Sequence, residues 1–373
     1  MSGQRALRQT GLPPVIAGAA AGAPMDETDP LAQDAPVIGP EEAADLARDL
    51  FGVKGRIRPL SAEKDANFHV TLGSGEEALL KVTNAAEPRA VTDMQTAVLI
   101  HIAGVAPDLP VPRVHASLSG GASEIITGPD GRPHVVRLLG YLPGAILANA
   151  TLAPGLRGEL GALLARLARA MRGFFHPAAG HVLQWDIKQA HRLRPMLEAV
   201  ADDALRARLE TLLDRFDADI APRLPGLRAQ VVHNDFNPHN LLVDGTRATK
   251  VTGVIDFGDM VHTPLACDLA VACSYQLGDG ADPLAGVTEM VAGYASVLPL
   301  EDEEIALLPD LIRLRHATTL TLGAWRARRY PENADYILRN SEGARRGLGA
   351  LDQIGDAVTL ERLRAAASRP LPE

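Results

Sequence analysis

Hydrophobic and polar positions change rhythm twice along the chain. From Pro40 the stretch EEAADLARDLFG has helical periodicity, with proline in its first turn and Gly52 at its end, which predicts a helix. Alternation follows: DANFHVTL (65–72), a GSGEE turn and ALLKV (78–82) predict a strand, a turn and a strand. The segment 87–102 returns to helical spacing, and SEIIT (123–127), PDGR and HVVRLL (134–139) predict a second hairpin. After Pro143-Gly144 the pattern turns helical. Leu156, Leu160, Leu164, Leu167 and Met171 share one helical face, and a second helix is expected over about 196–219. A short β segment spans 230–256, and from Pro264 to about 368 the chain reads as almost entirely helical.

The outline is an α+β protein with a β-rich N-terminal lobe (39–142) and a mostly helical C-terminal lobe (143–373), joined near 140–144, where a ligand site is expected. Residues 1–38, rich in Ala, Gly and Pro, lack the large apolar groups that would offset ordering and are expected to be a disordered tail. Arg5 and Arg8 before VIAGAAAGAP imitate a secretory signal, but Pro13 and Pro14 interrupt the pattern. The 373 residues carry 37 Lys and Arg against 46 Asp and Glu; a net charge of −9 argues against a nucleic-acid partner. No apolar run is long enough for a membrane-spanning helix. Cys267 and Cys273, six apart in a predicted helix, sit about 9 Å apart, too far for a disulfide, which suits a reducing cytoplasm.

The densest polar cluster is VVHNDFNPHNLLVD followed by GVIDFGDM. His233, Asp235 and Asn240 fit H-x-D-x-x-x-x-N, and Asp256-Phe257-Gly258 begins sixteen residues after Asn240. Phosphoryl transfer from a nucleotide needs a carboxylate to take the proton of the attacking hydroxyl and oxygen ligands for Mg²⁺. Asp235, Asn240 and Asp256 supply those groups. A cation is also required for the phosphates. Lys81, mid-strand behind three apolar residues, is either that cation or an edge lysine reaching to water.

These segments resemble the aminoglycoside phosphotransferase and choline kinase superfamily, small-molecule kinases of protein-kinase-like bilobal fold, and most closely its hydroxylysine kinase branch. DANFHV, LLKVTN, VVRLLGYLPG, HNDFNPHNLLV, GVIDFGDM and YPENADY carry the likeness over most of 40–350. The resemblance implies Asp235 as catalytic aspartate, Asn240 and Asp256 as Mg²⁺ ligands, Lys81 as the phosphate-contacting lysine, and His233 and Asp268 as structural supports. It places Ser61, Asn67 and backbone amides at the phosphates, and base recognition near Leu138 to Tyr141, with ATP or GTP as donor. Two departures stand out. Where kinases carry a helix glutamate to pair with the lysine, this chain offers Gln95 or Asp93, and it has no G-x-G-x-x-G loop.

Only a few residues separate DFGDM from the next helix, and Asn234 stands where an arginine would pair with an activation-loop phosphate, so no protein substrate is expected. The acceptor is expected to be a small cationic alcohol: 5-hydroxylysine first, with aminoglycosides, choline-like alcohols and homoserine behind it. Asp259 could meet a substrate ammonium or cap a turn. Trp185, Arg326 and Arg329 could line the acceptor pocket, or the arginines could belong to a solvated helix face. His239 and His262 flank the cluster as supports. Two rival readings remain: a metal-dependent phosphohydrolase with His233, Asp235, His239 and Asp256 as ligands, or a silent nucleotide-binding module.

Overall fold

A computed structural model describes residues 35–60, 62 and 64–368. Most of the expected tail, and Ser61, lie outside the described residues. Helix α1 (Pro40–Phe51) ends where Gly52 turns left-handed at φ 69°, as the sequence predicts. It covers a six-stranded antiparallel sheet formed by β1 (Gly55–Leu60), β2 (Ala66–Leu72), β3 (Glu77–Val82), β4 (Val114–His115), β5 (Glu124–Thr127) and β6 (Pro133–Gly140). Strand order is β1-β2-β3-β6-β4, with β5 also on β6. Strand β1, GRIRPL, escapes sequence reading because arginines and a proline interrupt its apolar positions; at a sheet edge both are tolerated.

The two faces of the sheet have separate duties because strand side chains alternate. Phe68, Val70, Ala78, Leu80, Val82, Val136 and Leu138 pack under α1 in a small core. The opposite face carries Asn67, Lys81 and Arg137 toward helix α2 (Arg89–Val105) and the cleft below; Asn67 pairs with Lys81, and Lys81 with Arg137, across the ladders.

Beyond residue 144 come β7 (Ala145–Ile146), β8 (Thr151–Leu152) and α3 (Leu156–Ala170). The helix expected over 196–219 is broken. Ile187–Ala199, containing Pro195, winds as tight 3-10 turns, and the chain restarts as α4 (Asp203–Arg215), capped by Asp202, whose Oδ1 accepts the Leu205 amide at 3.0 Å. The β segment resolves into β9 (Ala229–Val232), β10 (Leu241–Val243), β11 (Arg247–Ala248), β12 (Val251–Val254) and β13 (Val261–Pro264), with β10 against β12 and β9 against β13. Helices α5 (Leu265–Ser274), α6 (Ala285–Val297), α7 (Asp302–Arg329), α8 (Ala334–Ile337), α9 (Ser341–Ile354) and α10 (Asp356–Ala367) complete the lobe. Helices α3 and α6 touch backbone to backbone: a Cβ on Gly161 would collide with the Met290 carbonyl, and one on Gly293 with that of Gly158. Helix α5 is buried on every side and anchors α7 behind the cleft. Among the described residues no helix is long and apolar enough to cross a membrane. Both cysteines are free and buried.

Candidate active site

The polar cluster read from the sequence occupies two loops that face the sheet. Residues 233–240 connect β9 to β10, and Asp256-Phe257-Gly258 follows β12; pairing of β10 with β12 brings the loops side by side. Asn234 and Asp256 have positive φ, 62° and 59°. A left-handed conformation costs a residue with a Cβ roughly 1–2 kcal/mol, so the surrounding structure must hold both turns. At Asn234 the holder is Asp268 of α5, whose Oδ1 accepts the Asn234 amide at 2.7 Å. Burial pushes the Asp268 carboxyl up to about 7, with the Asn234 amide and Arg315 drawing it down.

His233 is a support, as expected. One ring nitrogen lies 3.1 Å from the Ile255 carbonyl and the other accepts the Asp235 amide at 3.2 Å, while Phe257 meets its ring edge-on. Burial pushes its pKa down to about 4, so the ring is neutral and both nitrogens are engaged.

Asp235 stands partly open to the cleft. Its Oδ2 accepts Asn240 Nδ2 at 2.6 Å and its Oδ1 accepts Arg315 Nη2 at 3.3 Å. Burial and the neighbouring Asp259 raise its pKa above the ordinary carboxylate range, with Arg315 opposing. Because Asn240 spends its amino group on Asp235, its carbonyl oxygen is left for a cation. At Asp256, burial is outweighed by Lys81 and Lys64, which hold the carboxyl below its usual value and therefore ionised. An amide oxygen and an ionised carboxylate form a donor set that fits a hard cation such as Mg²⁺.

On the sheet side Lys81 is paired, but with neither expected partner. Its Nζ lies 2.8 Å from Asp65 Oδ2. Asp65, at the start of the β2 hairpin, also accepts the Asn84 amide at 2.9 Å, and Lys81 and Lys64 hold its carboxyl low despite burial. Asp93 pairs instead with Arg89 at 3.4 Å, one helical turn away. Gln95 accepts from Arg137 Nη2 at 3.2 Å and donates to the Gly258 carbonyl at 3.1 Å. The carboxylate that serves the lysine thus comes from the bend leading into the neighbouring strand β2 rather than from α2. Lys64, beside Asp65, lies 3.2 Å from Glu87 and 4.0 Å from Asp259 on the other side of the cleft.

The remaining predicted positions divide. Asn67 shares the face of Lys81, and its buried Oδ1 makes no hydrogen bond. Tyr141 stacks on His69 with ring centres 4.2 Å apart. Leu138 is corrected: its side chain is 1% exposed in the core under α1 and its backbone lies between β3 and β4, so it does not reach the cleft. Trp185 is linked to the loop of residues 233–240 through Arg315, whose guanidinium stands 5.1 Å over its ring and donates to its carbonyl at 3.1 Å. Asp259 faces Lys64 and Arg315, both of which draw its pKa down against burial and Asp256, which raise it. Arg326 is buried on α7 three turns beyond Arg315, about 16 Å along the axis. Arg329 is exposed, lying over Trp325 and Tyr330. His262 is exposed on β13, and its carbonyl accepts from Lys188. Its expected place beside the site is not found.

Arg315, Asp65, Lys64 and Arg137 were all missed. Asp65 was legible in principle, since a residue two places before Asn67, the cross-strand partner of Lys81, lies on the diagonal of Lys81. Arg137, in HVVRLL, is a mid-strand cation, the same signal that drew attention to Lys81. Arg315, eighty residues from Asp235, left no local signal. Among the described residues no three His, Cys, Asp or Glu side chains gather as a metal-binding group. With both His233 nitrogens engaged, the phosphohydrolase ligand set is not formed.

A lysine-bearing antiparallel sheet above an aspartate-asparagine-aspartate trio on two adjoining loops defines a kinase-type phosphotransferase. The comparisons with known proteins agree. A profile of the phosphotransferase enzyme family matches residues 56–300, and the chain belongs to that family. The hydroxylysine kinase of Danio rerio is 30% identical over 332 residues, covering 86% of this chain and 93% of that protein. The homoserine kinase of Rhizobium etli is 32% identical over 214 residues, 56% of this chain and 61% of its own. A microcompartment-associated aminopropanol kinase shares the fold, with a TM-score of 0.65 at 22% identity over 87% of this chain and 98% of that one.

Proposed function

We propose that the protein transfers the γ-phosphate of ATP or GTP to the hydroxyl of a small ammonium-bearing amino acid, 5-hydroxylysine first and homoserine second. The observation that carries this reading is the end-to-end likeness to a hydroxylysine kinase, which spans both lobes and therefore both walls of the cleft. Asp235 accepts the proton of the attacking hydroxyl; Asn240 and Arg315 orient its two oxygens. Lys81, held by Asp65, meets the non-transferred phosphates, and Asn67 offers an unpaired oxygen on the same face. Asn240 and Asp256 would hold Mg²⁺, which when bound neutralises phosphate charge. Asp259 takes the acceptor's ammonium, and Trp185 forms one wall of the acceptor pocket. The lobe boundary is taken at 142/143. Two free, buried cysteines favour a cytoplasmic location.

The test is an acceptor screen with Mg²⁺ and either nucleotide, reading phosphorylated product by mass spectrometry. 5-Hydroxylysine should be converted with the highest kcat/KM, and Asp235→Ala should abolish the product. A preference for homoserine would move the acceptor to the second reading. Turnover of none of 5-hydroxylysine, homoserine, aminopropanol or an aminoglycoside would overturn the assignment.

A further inference from the structure

Arg137 is 2% exposed, and every acceptor it meets is neutral: Gln95 Oε1 at 3.2 Å, Thr83 Oγ1 at 3.3 Å and Thr96 Oγ1 at 3.4 Å. It sits directly across the ladder from Lys81. Gln95, 4% exposed on α2, spans from this guanidinium to the carbonyl of Gly258, 163 residues away and on the other wall of the cleft. The orientation of the amide is forced, since a guanidinium only donates and a carbonyl only accepts. Gly258 is itself tied to the carboxylate before it, its amide donating to Asp256 Oδ1 at 3.1 Å.

We propose that Arg137 and Gln95 form a positioning relay that fixes the Asp256-Phe257-Gly258 turn against the lysine-bearing strand. The relay rests on the reading of Asp256 as a metal ligand. It accounts for the missing glutamate on α2. Lys81 is already served by Asp65, so α2 is free to bridge the lobes instead, and that bridge requires a side chain that accepts at one end and donates at the other. Glutamine does both. A glutamate would still accept from Arg137 but would set a carboxylate oxygen against the Gly258 carbonyl, and an asparagine would fall one methylene short. Helix, strand and metal-bearing turn are thereby coupled through hydrogen bonds, with no ion pair between Arg137 and Asp256.

The experiment compares Gln95→Glu and Gln95→Met with wild type in half-activating Mg²⁺ concentration, kcat and acceptor KM. Each variant is also titrated with Mg-nucleotide by calorimetry, which needs no acceptor. Both substitutions remove the donor to Gly258, so both should raise the half-activating Mg²⁺ concentration about tenfold, the scale of one buried hydrogen bond, and lower kcat with acceptor KM unchanged. Calorimetry should show the same weakening even if the true acceptor differs from the one proposed, which separates failure of the relay from failure of the functional reading. If Gln95→Glu retains wild-type metal dependence, kcat and nucleotide affinity, the relay is overturned. It is equally overturned if the variants shift acceptor KM alone. Should Gln95→Met not fold, Gln95→Glu, which keeps the volume and the Arg137 contact, decides the matter.

Discussion

The two walls of the cleft manage charge in opposite ways. On the sheet wall each reactive cation leans on a carboxylate from the same lobe: Lys81 on Asp65 and Lys64 on Glu87. On the helical wall, Asp235, Asp256 and Asp259 crowd together, and relief comes from Arg315 and from Lys64 reaching across. Both lysines of the sheet wall are therefore paired before any ligand arrives. The helical wall carries an excess of negative charge that a divalent cation would neutralise. The direction of the carboxyl pKa values records the contrast: lowered for Asp65, raised for Asp235 and Asp259, and lowered for Asp256, a carboxylate of the helical wall that Lys81 and Lys64 both reach.

The largest effect should come from the crowded wall. Asp235→Asn removes the proposed proton acceptor while keeping the contact with Asn240, and turnover should fall by about 10²–10⁴ with nucleotide affinity retained, measured by steady-state kinetics beside calorimetry. A loss of nucleotide binding equal to the loss of turnover would erase the distinction between the walls.

On the paired wall, Asp65→Asn strips a buried cation of its counter-charge, a change that costs about 3–5 kcal/mol in comparable pairs. Thermal unfolding should drop and nucleotide KM should rise, whereas Asp93→Asn should leave both as they are. Equal effects from the two would restore α2 as the source of the lysine's partner.

The smallest effect sharpens the contrast by pH. Because the Asp235 carboxyl is raised in the folded protein, its protonated form contributes stability that is complete below the ordinary carboxylate range, about pH 4, and is lost as pH rises through the folded value. In metal-free protein at pH 7.5, Asp235→Asn should therefore raise the unfolding temperature by about 2–4 °C, with the gain vanishing toward pH 4. For Asp65 the sign reverses: its lowered pKa gives stability above pH 4 that disappears as acid is added. A stabilisation by Asp235→Asn that does not depend on pH would show that its charge is not the cause.

What the sequence disclosed and what it withheld follow from distance along the chain. Asp235, Asn240 and Asp256 lie within one hairpin's reach, so their spacing alone brought them together. Strands β2, β3, β5 and β6 and helix α1 were legible because alternation and capping are local signals, whereas β1 and the two-residue β4 carry neither. Arg315 on α7 and the contact from Gln95 to Gly258 join segments 80 and 163 residues apart, and nothing in the intervening pattern encodes which pairs will meet. The exchange of partners at Lys81 was hidden for a different reason. The helix glutamate of other kinases points to a substitute on the same helix, whereas the register of β2 on β3 sets Asp65 on the diagonal of Lys81.

The left-handed turns at Asn234 and Asp256 limit what drift can do to this cleft. Asparagine and aspartate are the side chains that bear such a backbone most readily after glycine. At position 256 the tolerated alternatives shrink to those that keep an ionised oxygen, and at 234 to small polar residues or none. Mutational scanning would find these two sites intolerant of valine, isoleucine and threonine for reasons of shape as much as of chemistry, a constraint inherited from the backbone before any substrate enters.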